Sequence, residues 1–64
     1  MVSWQRFVSI GFDVAKGKGA QFEGIDQGGD FVEDLAMVWQ DDKERYKQMT
    51  ERQVRNALEG MVEA

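Results

Sequence analysis

Three groups of residues in this chain have types that could do chemistry, and each group implies a different ligand. Gly17-Lys-Gly19 sets a lysine between two glycines, the materials from which phosphate-cradling loops are made. Asp26, Asp30, Glu33 and Asp34 gather hard carboxylate ligands of the kind that hold Mg²⁺ or Ca²⁺. Lys43, Arg45, Lys47, Arg52 and Arg55 collect in the final third, where two helices meeting near Met49-Thr50 would have the outline of a DNA-binding helix-turn-helix.

Spacing decides among them. A P-loop needs a glycine five positions before its Gly-Lys pair and a Ser or Thr after it; here Lys18 is followed by Gly19, and no third glycine opens a helix as a dinucleotide fingerprint requires. The carboxylates lack the alternating acids and central glycine of an EF-hand, and Asp30 with Glu33 is accounted for as a helix cap. No metal and no cofactor are expected. The basic residues are interleaved with Glu44, Glu51 and Glu59, as on solvated helix faces paired along their length, so nucleic acid stands as an alternative partner only.

Catalysis has little to work with. There is no Cys and no His, and the hydroxyls are Ser3, Ser9, Thr50 and Tyr46, so no nucleophile and base pair can be assembled. Carboxylate-pair chemistry would need a cleft that a chain of 64 residues hardly encloses. The expectation is a protein that is not an enzyme.

Net charge of −4 hides an uneven distribution: residues 1–20 carry +2, residues 21–42 carry −7 with no Lys or Arg, and residues 43–64 carry +1. A block of one sign attracts cationic surfaces and repels nucleic-acid backbones. A chain this short buries only about 60% of its unfolded surface. Without disulfides or zinc, a homodimer or a partner protein is the remaining source of extra core. The lack of Cys fits a reducing cytoplasm. The longest apolar run, Leu35-Ala-Met-Val-Trp39, is too short for a membrane span, and no signal peptide is evident, which points to a cytoplasmic location away from membranes.

Elements must position these groups. From Val2 to Val14 the even positions are mostly β-branched or aromatic, and that period of two predicts a strand over 2–14. Residues 21–26 could pair with it across the Lys16-Gly-Lys-Gly19 turn as an antiparallel hairpin. Asp30-Phe-Val-Glu33 reads as a capping box opening a helix over about 31–47, in which Asp41 faces Arg45. A competing arrangement folds 36–49 as a second hairpin turning at Asp41-Asp-Lys-Glu44, with Trp39 opposite Tyr46. Thr50-Glu-Arg-Gln53 is another capping box, and Val54, Ala57, Leu58 and Met61 follow at helical spacing over about 51–62.

The expected fold is therefore α+β: an N-terminal hairpin packed against one or two C-terminal helices, or else four short strands in two hairpins with one helix. The expected function is a small acidic adaptor or inhibitor that docks a basic protein surface through Glu23, Asp26, Glu33, Asp34, Asp41 and Asp42, with Trp39 or Phe7 as aromatic anchor. In size and charge the chain is similar to phage-encoded proteins that inhibit host factors, a likeness that no motif carries. The alternatives are a nucleic-acid-binding regulator using the basic residues and a structural subunit of a larger assembly.

Overall fold

A computed structural model of the chain describes residues 1–21 and 28–62. Among them there is no strand; the elements are three helices, α1 (Trp4–Gly17), α2 (Gly29–Gln48) and α3 (Glu51–Met61). The α+β expectation, in both its forms, is thus overturned: 2–14 is helix, and 36–49 forms no hairpin. The second strand expected over 21–26 falls, apart from Gln21, outside the described residues.

The reason lies in which periodicity buries more. Reading Val2–Val14 as a strand puts Arg6 on the apolar face and Phe7 on the polar one. As a helix the same segment turns Phe7, Ile10, Gly11, Val14 and Ala15 inward at helical spacing, and Arg6 outward. Burying a side chain such as Phe7 contributes about 1.5–3 kcal/mol, which exceeds the span of β-propensity differences of about 1 kcal/mol. Both ends also carry helix signals. Ser3 is the N-cap, its hydroxyl accepting from the Arg6 amide at 3.2 Å.

At the other end the glycine stretch stops a helix and does not turn a hairpin. Gly19 takes a positive φ of 98°, where a side chain is disfavoured, and its amide donates to the Lys16 carbonyl at 3.0 Å. The Ala20 amide donates to the Ala15 carbonyl, also at 3.0 Å, which completes a Schellman motif.

α2 begins at Gly29 with Gly28 as N-cap and no side-chain cap bond. Asp30 therefore lies inside the first turn, where its charge suits the helix dipole, and the capping box expected from Asp30 and Glu33 does not form. Asp42 departs from helical geometry (φ −143°, ψ 31°), so the element is two helical segments meeting at a kink. The kink falls within the turn of the competing hairpin. It also redirects the ion pairing, since Arg45 meets Asp42 at 3.7 Å and not Asp41. α3 follows directly: the Gln53 amide donates to the Thr50 hydroxyl at 3.2 Å, and the Thr50 amide donates to the Gln53 side chain at 2.9 Å, closing a capping box.

The buried core combines the aromatic Phe7, Trp39 and Tyr46 with aliphatic side chains that include Ile10, Val14, Leu35, Val54 and Leu58. The Phe7 ring lies 5.0 Å from those of both Trp39 and Tyr46, tilted by 57° and 56°, and Trp4 covers Trp39 at 5.8 Å. Further along, Phe12 meets Phe31 edge-on at 5.2 Å. Early α1 thus packs on late α2 and late α1 on early α2, an antiparallel pair. Gly11 marks their close approach, because a Cβ there would stand 2.8 Å from Leu35 Cδ1.

α3 lies parallel to α1 and is tied to it at both ends. Arg6 forms an ion pair with Glu51 in the first turn of α3, its second nitrogen 3.2 Å from the carboxylate. Lys18 donates its ammonium to the carbonyls of Glu59 and Val62. Among the described residues no helix is long and apolar enough to cross a membrane.

Candidate functional site

The three chemical groups of the sequence are each placed by these helices. Lys18 of the glycine stretch is occupied with the C-terminal carbonyls of α3, 2.5 Å from that of Val62, where a cation offsets the helix dipole. That role is structural, and it leaves the lysine directed at protein carbonyls instead of a phosphate. Asp30, Glu33 and Asp34 lie on α2 near its start, and Asp26 lies outside the described residues. Among the described residues no group of three or more acidic side chains converges as a metal site requires.

Three of the five basic residues have a carboxylate partner on their own helix. Arg45 pairs with Asp42, Lys47 with Glu44 at 3.9 Å, and Arg55 with Glu59 at 3.5 Å, while Lys43 and Arg52 are exposed. Arg55 lines a cleft between α1 and α3 together with Asp13, Lys18 and Glu59, so that surface carries both signs.

The proposed aromatic anchors are corrected. Phe7 is fully buried and Trp39 is 6% exposed, so both belong to the core. Phe7 falls on a polar face only under a period of two. Among the described residues the large apolar side chains that stand well exposed are methionines: Met37 at 69% exposure and Met61 at 49%, besides Met1. Met37 is inconspicuous in the sequence because it sits inside the apolar run Leu35–Trp39. On a helix whose inward residues are Leu35 and Trp39, however, position 37 points away from both, so the helical period is the signal that finds it.

Met37 completes a ridge. Asp30, Asp34, Met37 and Asp41 recur at i, i+4, i+7 and i+11 along α2, ahead of the kink at Asp42. Glu33 lies beside this row. Next to the ridge, between α2 and α3, runs a groove of about 280 Å³. Phe31, Leu35 and Val38 line it from α2, Leu58 and Met61 from α3, together with Val62 just past the end of α3. Among the described residues Asp34 is the one ionisable side chain in its lining, shared between groove and ridge, and no basic residue lines it.

Such a surface can seat apolar side chains beside cations. Its lining supplies one carboxylate and no nucleophile, so among these residues there is no acid and base pair. Arg6 and Tyr46, whose ionisation is perturbed, both lie outside the groove. Hydrogen bonding and charge from Glu51 raise Arg6, and burial raises Tyr46. The chain matches no protein-family model, and neither a curated protein nor a solved structure matches it.

Proposed function

We propose that this chain is a non-enzymatic binding protein, an adaptor or inhibitor, that docks a basic surface of a partner protein through α2. The observation that carries this reading is the placement of Asp34 in the wall of an apolar groove, in line with Asp30, Met37 and Asp41 along the helix. Apolar floor and carboxylate rim together are what a partner presenting aliphatic and cationic side chains would need: burial supplies affinity, and the charges supply orientation and association rate. Glu33 adds to the same field. Asp42 is partly satisfied by Arg45, which makes it a lesser contributor. A second copy docked on this face would bring two acidic ridges together, so the partner is a different protein. The lack of Cys supports the cytoplasm as its compartment.

A photo-crosslinking residue placed at Met37, with one at exposed Gln5 of α1 as control, tests the reading in cells. Adducts at Met37 with a protein whose contact surface is basic, lost with Asp30→Lys and Asp34→Lys, are expected. Adducts with nucleic acid, or retention of nonspecific DNA at low salt that Arg52→Ala and Arg55→Ala abolish, would sink it in favour of a nucleic-acid regulator. Large ordered assemblies in sedimentation would instead indicate a structural subunit.

A further inference from the structure

We infer that what the groove between α2 and α3 takes from its partner is a single amphipathic helix, with Lys or Arg along one row and apolar residues along the next. The inference rests on the proposed docking through α2 and specifies the form of the docked segment.

The spacing of the carboxylates makes the choice. Helical rise sets Asp34 about 6 Å beyond Asp30, and Asp41 about 10.5 Å beyond Asp34. A second helix lying along the ridge meets these distances with basic residues at the same offsets, i, i+4 and i+11, which occupy one of its faces. An extended segment advances about 3.3 Å per residue with side chains alternating between faces. It would cover the first gap in about two residues and the second in about three, which places the third base on the opposite face. Only the helix presents all three cations together. At the i+7 position its side chain meets Met37, so that site calls for an apolar residue between the second and third bases.

The groove adds the second row. Its α2 wall offers Phe31 and Val38, and its α3 wall offers Leu58 and Met61, so a helix laid between them packs apolar side chains against two helices at once. Charge fixes which edge faces which wall. Asp34 stands on the α2 side and the α3 lining is uncharged, so the basic row faces α2 and the apolar row faces α3.

Three peptides of about 18 residues, a length at which a helix can form on binding, test this. One carries Lys at i, i+4 and i+11, Leu at i+7 and a neighbouring apolar row; the second arranges the same composition with a period of two; the third scrambles it. Calorimetry reads affinity, and ¹³C-labelled methionine methyls report the place, with Met37 and Met61 at the site and Met1 away from it. The helical peptide is expected to bind about tenfold more tightly than the others, since only it aligns three charge pairs with apolar contact. Shifts are expected at Met37 and Met61 only, and Asp34→Lys should weaken binding by about tenfold or more. Asp30→Asn, which keeps the shape of its side chain, should weaken it less. Equal affinity for all three peptides overturns the helix inference while leaving docking of a basic surface standing. Failure of all three to bind at low salt overturns both, and shifts confined to Met1 overturn the site.

Discussion

Lys18 and Val62, at the ends of two parallel helices, are joined by a hydrogen bond of 2.5 Å from the lysine ammonium to the valine carbonyl. The same ammonium reaches the Glu59 carbonyl, so one side chain satisfies two of the acceptors left open at the end of α3. Lys18→Met keeps the aliphatic stem and removes the donors. It is expected to lower stability by about 1 kcal/mol, within the range for a charge-assisted bond at an exposed helix end. Lys18→Arg should retain most of it. An unchanged urea midpoint for Lys18→Met would show that the clamp contributes nothing.

Gly11 and Leu35 form the tightest point of the α1 and α2 packing. Gly11→Ala favours the helix by about 1 kcal/mol in propensity. It also drives a methyl into Leu35, which is 2% exposed and has little room to move, so overpacking of about 1–3 kcal/mol outweighs the gain. Leu35→Val removes the δ-methyl groups that stand in the way. A double-mutant cycle by chemical denaturation should therefore give a coupling of about 1 kcal/mol, with Gly11→Ala tolerated better in the Leu35→Val background than in the parent chain. Additive effects would contradict this account of the contact.

Tyr46 gives the fold a dependence on alkaline pH. Burial raises its phenol above the ordinary 10.0, with the Asp42 carboxylate and then Asp41 adding to the effect and Arg45 opposing it. The folded state thus holds the proton more tightly than the unfolded chain does. Its contribution is complete below the ordinary value and is lost as pH rises through the elevated one. Stability measured from about pH 9 to about pH 11 should fall less steeply for Tyr46→Phe than for the parent chain. Parallel profiles would mean that the phenol titrates alike in both states.

Thr50 starts α3 through its reciprocal bonds with Gln53. Thr50→Ala should cost about 1 kcal/mol, with Thr50→Ser restoring most of the loss. Hydrogen exchange at the Gln53 amide should accelerate in the alanine variant, and no acceleration would place the capping elsewhere.

How far these features can be read from the sequence varies with the range of the interactions behind them. The opening of α3 is legible because Thr50, Gln53, Val54, Leu58 and Met61 lie within a few turns of one another and agree on one period. The existence of a helix through Leu35 and Trp39 is legible for the same reason. Val2–Val14 is not, because its apolar residues satisfy a period of two nearly as well as a helical one, and the misfits at Arg6 and Phe7 can be explained away as a sheet rim and an exposed anchor. The Schellman stop at Gly19 is hidden because a glycine with positive φ serves a hairpin and a helix end alike.

The candidate site divides in the same way. Its carboxylates and their sign come from composition along the chain, and so does the lack of Cys or His chemistry. The sequence by itself determined the charge block, the cap at Thr50 and the set of apolar residues large enough to make a core. Tertiary structure alone decided which of those apolar residues were needed for that core. Phe7 and Trp39 were drawn in by packing against Tyr46, while Met37 and Met61 were left out. It also decided that Asp34 borders a groove and that Lys18 caps a helix 41 positions away. The physical reason is range: local periods and caps act within a few turns of chain. Burial is settled by competition among side chains that only the folded arrangement of the helices brings together.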